Sequence, residues 1–167
     1  MKYSEFVKVY DELGKNNSRL EKARILAEFL RHLAKDGKRE WVYLLIGRVV
    51  PDYDSREFGI SRQIAFKAIS SSLGVKAEKV ISEFNKVGDI GDIAEKFLEK
   101  RNQTSLFSKK LDVNKVFENL RKIMEVEGKG AIEKKISYIS ELLSNASGRE
   151  AKYIIRTLLG DLRIGVA

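Results

Sequence analysis

The chain has 167 residues, 43% of them hydrophobic, with one proline, one histidine and no cysteine. That length and apolar share support one folded domain, or two small ones on a common core, and exclude wholesale disorder. Lys and Arg number 32 against 24 acidic residues, a net +8, which points to a polyanionic partner, nucleic acid ahead of an anionic membrane; a merely lysine-rich solvated surface is the alternative, and charge alone does not choose. Zero cysteines remove disulfides, thiolate zinc sites and cysteine nucleophiles, and fit a reducing, cytoplasmic setting. The lone His32 excludes a multi-histidine metal site. No apolar run reaches the length of a membrane span, and the opening Met1-Lys2-Tyr3-Ser4-Glu5-Phe6 lacks a signal-peptide pattern.

Helical periodicity runs through the chain. Phe6, Val9, Tyr10 and Leu13 form an i, i+3, i+4, i+7 stripe, and Leu26, Phe29, Leu30 and Leu33 form another. Ser18-Arg19-Leu20-Glu21 reads as a capping box opening a second helix that Asp36-Gly37 stops. A third helix is expected over Arg39–Val50, ended by Pro51. Ser61–Leu73 and Lys76–Val87 follow, with Gly74 as the stop between them. Gly88-Asp89-Ile90-Gly91-Asp92 restarts the chain before a short helix ending near Lys100, and Arg101–Leu111 reads as a basic connection. Helices are expected over Val113–Glu127, Ala131–Asn145 and Gly148–Leu159, the last opened by a second capping box, Ser147-Gly148-Arg149-Glu150. No alternating run is long enough for a strand. The expected fold is all-α: a compact body of about ten helices.

An internal echo organises these helices. Arg39-Glu40-Trp41-Val42-Tyr43-Leu44-Leu45 returns as Arg149-Glu150-Ala151-Lys152-Tyr153-Ile154-Ile155, at an offset of 110. Lys22–Leu30 returns as Lys135–Leu143, and Val9–Leu13 as Val116–Leu120. Three helices recurring in one order predict a pseudo-two-fold pair of units, about 3–73 and 113–167, joined by 76–112. Chance matching of amphipathic helices is the competing explanation. The first unit continues past Phe58-Gly59-Ile60-Ser61 into a full helix, whereas the second closes at Leu162-Arg163-Ile164-Gly165, so a fragment of a longer protein is expected.

Two similar units suit the approximate dyads of duplex DNA, and helix amino termini favour anions. Glycine there lets the backbone approach a phosphate with no Cβ in the way. The candidate contacts are Gly59 with Ser61, Gly130 with Lys129 and Lys134, and Gly160 with Arg163 and Gly165. Ser18 and Lys22 open the second helix, and Lys22 and Lys135 hold matching places in the echo. Lys67 lies on the helix that follows Ser61, within reach of a DNA strand or simply solvated. For each glycine, an ordinary helix stop is the plainer explanation. Asp89 and Gly91 read as a helix cap and a close packing point, since two aspartates at this spacing make a poor metal site. Tyr43 and Tyr153 are expected in the core, Trp41 is open to exposure, and His32 reads as packed or partly exposed rather than catalytic. No catalytic constellation is present: neither GxxxxGK[ST] nor Lys-x-Asp-Gly occurs.

The combination resembles the N-terminal DNA-binding domain of archaeal and eukaryotic ATP-dependent DNA ligases. The matching segments are Ser18–Lys22, Phe58-Gly59-Ile60 leading to Lys67-Ala68-Ile69, Gly88-Asp89-Ile90-Gly91, Gln103–Ser108, and the close from Ala151 to Ala167. The resemblance covers essentially the whole chain; the closing segment is its most specific part. It implies an all-helical body that binds the minor groove on both sides of a nick. Downstream nucleotidyltransferase and OB-fold domains of the parent would use ATP and magnesium to seal the strand, with a sliding clamp as a further partner. The fragment itself would need no cofactor and would not ligate. Gly160, Arg163 and Gly165 match the family's DNA-touching closing loop, and Gly59 and Ser61 match the loop of the first unit. Asp161 departs from the basic or small residue usual there. A helical RNA-binding module and a protein–protein adaptor are the rival readings.

Overall fold

The computed structural model describes residues 1–102 and 110–166. Residues 103–109, within the expected basic connection and the Gln103–Ser108 match, lie outside the described residues. Among the described residues the chain forms eight α-helices and one 3₁₀ helix, with no strand beyond an isolated bridge. In order these are α1 (Tyr3–Lys15), α2 (Arg19–Asp36), the 3₁₀ helix (Arg39–Ile46), α3 (Arg62–Leu73), α4 (Ala77–Val87), α5 (Ile90–Asn102), α6 (Val113–Glu125), α7 (Ala131–Leu143) and α8 (Gly148–Leu158). The all-α class holds. None of these helices is long and apolar enough to cross a membrane.

The first apolar stripe becomes core and the second does so in part, with Leu26 half-buried and Leu30 exposed. Phe6, Val9, Tyr10 and Leu13 of α1 are all buried, as are Phe29 and Leu33 of α2. The α8 helix sits deepest, burying Ala151, Tyr153, Ile154, Ile155 and Leu158. Tyr153 packs against Tyr10 with ring centres 5.0 Å apart and donates its hydroxyl to Asp11. Antiparallel to α8 runs α5, and glycine lets the two backbones close. A Cβ at Gly91 would sit 2.9 Å from the Lys152 carbonyl, and one at Gly148 would sit 2.9 Å from the Glu95 carbonyl. Burial of methylene-rich side chains on this scale is the main stabilising term, at about 25 cal/mol per Å².

Three expectations change. The third helix is 3₁₀ and stops at Ile46, not Val50. At its start Gly37 is wedged against Leu33 and Trp41, and at its end Gly47 adopts left-handed φ 71°. The tighter winding brings positions three apart into line, so Trp41 and Leu44 both enter the core, while the Tyr10 hydroxyl donates to the Leu44 carbonyl at 2.7 Å. Trp41 is therefore buried, whereas Tyr43 is only half-buried. The first capping box is half made. Ser18 Oγ accepts from the Glu21 amide at 3.3 Å, but the Glu21 carboxylate turns to Arg24. The second box closes fully, Ser147 and Glu150 each accepting the other's amide.

The first turns of α1 and α6 meet. Tyr3 N donates to the Leu111 carbonyl at 2.8 Å and Val113 N to the Met1 carbonyl at 3.0 Å, a reciprocal bridge between Lys2 and Asp112.

Candidate nucleic-acid interface

Two loops of similar local build stand before α3 and after α8. In the first, buried Phe58 anchors the chain, exposed Gly59 follows at φ 65°, and Ser61 caps α3 by accepting from the Ile64 amide at 3.3 Å. In the second, Gly160 (φ 71°) ends α8, buried Ile164 anchors the chain, and exposed Gly165 follows at φ 65°. Arg163 between them is the one non-glycine residue with positive φ, 57°, among the described residues. An L side chain is disfavoured in that conformation, so surrounding contacts must hold it.

Phe58, Gly59 and Ile60 line a cleft of about 280 Å³ together with Leu158, Leu159 and Gly160, and Arg48, Arg56 and Glu57 line it too. Ile60 and Leu159 also line a second cleft that carries Arg62, Arg156 and Arg163 beside Asp89 and Asp161. Gly59 and Arg163 thus lie in neighbouring clefts that share two apolar residues and carry more arginines than carboxylates. At about 280 Å³ the cleft falls below the range of about 300–1,000 Å³ typical of sites that engulf a small molecule.

Carboxylates hold several of these arginines in place. Arg163 donates from Nε to Asp161 at 2.8 Å, and its NH1 lies 3.7 Å from Asp89. Buried Asp89 also pairs with Arg156 and accepts from the Gly91 amide at 2.9 Å. Burial pushes the Asp89 carboxyl up, but the Arg156 hydrogen bonds, followed by its charge, the Gly91 amide and Arg163, outweigh that and hold it below the usual carboxylate range. The Gly88-Asp89-Ile90-Gly91 element is thus a structural hub. Asp89 caps α5, Gly91 admits α8, and the shared carboxylate ties α8 to the closing loop. Nearby, Arg56 holds Asp54 down to about 2 through its hydrogen bonds. Arg48 donates to the carbonyls of Pro51 (3.3 Å) and Asp54 (2.6 Å), bracing the approach to Phe58.

The two echo lysines reach these loops, each crossing to the far one. Lys135 Nζ donates to the Phe58 carbonyl at 2.7 Å, whereas Lys22 Nζ donates to the carbonyls of Ile164 (3.3 Å) and Gly165 (3.1 Å). Ser18, capping α2, stands one turn from Lys22. Gly130 begins α7 at φ 78° without a side-chain cap, and Lys129 and Lys134 beside it are exposed. Lys67 is exposed on α3. Sequence reasoning missed Arg48, Arg56, Arg62 and Arg156. The adjacency of Arg62 to Ser61 was a usable signal; the pairing of Arg156 with Asp89, 67 positions away, had none. Among the described residues no group of three or more His, Asp or Glu side chains is placed to hold a metal ion.

Comparison with known proteins adds a second line. The family model described as DNA ligase N terminus matches residues 2–167. A DNA ligase of Methanosphaera stadtmanae is 39% identical over 98% of this chain. Those of Thermococcus fumicolans and Nanoarchaeum equitans are 35% and 39% identical over 100% and 99% of it. The chain spans only 30%, 30% and 29% of those three proteins.

Proposed function

The chain belongs to the DNA ligase N-terminal family, and from that premise we propose that it holds nicked duplex DNA by the sugar–phosphate backbone along the minor groove, without regard to base sequence. The observation that carries this reading is the pair of exposed, left-handed glycine loops that contribute to neighbouring, arginine-bearing clefts. A phosphate can approach a backbone amide closely where no Cβ intervenes, and guanidinium groups supply charge-assisted donors. Phosphate contacts position a protein on DNA and carry no base information, which suits a protein that must act at any nick. Nick sealing is assigned to the remainder of a longer parent. That parent would bring a nucleotidyltransferase domain and an OB-fold domain with ATP and magnesium, and a sliding clamp as a further partner. It would serve DNA replication, repair and recombination.

The test is fluorescence anisotropy on labelled nicked duplexes of two unrelated sequences across a salt series. A grip on about four phosphates predicts a fall of roughly 150-fold in affinity between about 50 and 200 mM salt, the same for both sequences. Equal binding at low and high salt refutes the reading. Competition by duplex RNA as effective as by nicked DNA replaces it with an RNA-binding module, and no binding at low salt replaces it with a protein–protein adaptor.

A further inference from the structure

We propose that Lys22 and Lys135 are reciprocal positioning residues: each fixes the glycine loop supplied by the other half of the chain, so that the two loops are set as a pair. The proposal deepens the DNA-binding reading and rests on it for its functional consequence, though its structural core stands apart from DNA.

Both lysines are half-buried, and among the described residues neither ammonium meets a carboxylate; their acceptors are loop carbonyls. In a trans peptide the N–H points opposite the C=O. Holding the Phe58 carbonyl therefore turns the Gly59 N–H away from Lys135. Holding the Ile164 and Gly165 carbonyls likewise turns the Gly165 and Val166 N–H groups away from Lys22. None of these three amides donates to a protein acceptor among the described residues. Each lysine thus aims unpaired amides outward from a loop whose backbone glycine leaves accessible. The fit is close at both places. A Cβ at Gly59 would lie 2.9 Å from Lys135 Nζ, and one at Gly165 would lie closer still to Lys22 Nζ. The pattern is crossed. Lys22, on α2, holds the loop after α8, and Lys135, on α7, holds the loop before α3.

Amide order parameters of the free protein test the clamp without DNA. Lys135→Met should lower the values at residues 58–60 from about 0.85 towards 0.6 and leave 164–166 unchanged; Lys22→Met should do the reverse. Loss of order at both loops in either variant, or at neither, overturns the proposal. Affinity for nicked duplex then tests the consequence by double-mutant cycles. Lys135→Met with Gly59→Ala, and Lys22→Met with Gly165→Ala, break the same contact twice and should be strongly non-additive. The exchanged pairings, Lys135→Met with Gly165→Ala and Lys22→Met with Gly59→Ala, should be additive within about 2-fold. Coupling of equal size in all four pairings overturns the crossed assignment. Wild-type protein that fails to bind nicked duplex while its loops respond as stated refutes the DNA-binding reading alone.

Discussion

Replacing Asp89 by asparagine isolates the charge at the hub beneath the closing loop. The side chains of Asp89 and Arg156 are 9% and 12% exposed. Removing one partner of a buried ion pair typically costs about 3–5 kcal/mol, because the other charge is left uncompensated. Two features soften that here. Asp92 remains 3.4 Å from the Arg156 guanidinium, and the guanidinium carbon lies 5.6 Å from the centre of the Tyr153 ring. A loss of about 2–3 kcal/mol is expected, which at this chain length lowers Tm by roughly 4–12 °C. Differential scanning calorimetry at neutral pH reads it directly, with Asp92→Asn as the more exposed control. The pH dependence supplies the sign. Asp89 is held below its unfolded value, so its contribution is present above about pH 4 and is lost as the pH falls through the lowered native value. The gap between wild type and variant should therefore close on acidification. A variant melting within about 2 °C of wild type, or a gap constant down to strongly acidic pH, would falsify the assignment of Asp89 as the hub.

Two further outcomes follow from the caps and from burial. Ser147→Ala should lose about 1–2 kcal/mol and Ser18→Ala about 0.5 kcal/mol in urea unfolding, because the Ser147–Glu150 box is closed and part-buried while Ser18 caps alone at the surface; equal losses would contradict this. Burial pushes the Glu150 carboxyl above its usual range, against the opposing Ser147 hydrogen bonds. The stability it contributes is full below about pH 4.3 and declines as pH rises through the raised native value. Glu150→Gln keeps an acceptor for the box, so it should melt above wild type at pH 7 and level with it near pH 4; a variant less stable at both would count against burial as the dominant influence.

Most helix limits were legible because their signals are local. Gly74 and Gly88 stop α3 and α4 in the left-handed conformation, and Ser61, Asp112 and Ser147 cap α3, α6 and α8 through their own side chains. The 3₁₀ form of Arg39–Ile46 was not legible. Its apolar spacing fits an α-helix equally well, and what decides is the Gly37 corner and the Tyr10 hydroxyl, which come from other elements. The candidate interface divides the same way. Glycines 59, 160 and 165 announce sharp turns, and the echo singles out Lys22 and Lys135 as a pair. That each lysine crosses to the far loop depends on how the halves pack, across 142 and 77 positions of sequence. The arginines around the clefts carry no periodicity, since they sit beside turns or pair with distant carboxylates.

Asp161 lies in the closing loop beside Arg163, and the geometry of the pair makes its part in DNA binding testable. Its carboxylate takes the Nε donor of Arg163 at 2.8 Å, in a pair that is about half exposed on both sides. Two effects on DNA binding oppose one another. The pair helps to hold Arg163 in its left-handed conformation, yet it also neutralises the guanidinium and places a negative charge where a phosphate would come. An exposed pair of this kind is worth about 0.2–1 kcal/mol, whereas repulsion between carboxylate and phosphate persists as long as DNA is bound and is screened over about 10 Å at 0.1 M salt. Asp89 remains as a second anchor for Arg163 once Asp161 is neutral. Repulsion is taken to outweigh ordering, so Asp161→Asn should tighten binding to nicked duplex at low salt, with the gain fading as salt rises. Arg163→Ala should weaken binding while leaving the circular dichroism of the helices unchanged. Weaker binding by Asp161→Asn would mean that the carboxylate serves chiefly to pre-set Arg163, and the ordering of the two effects argued from this loop would have to be reversed.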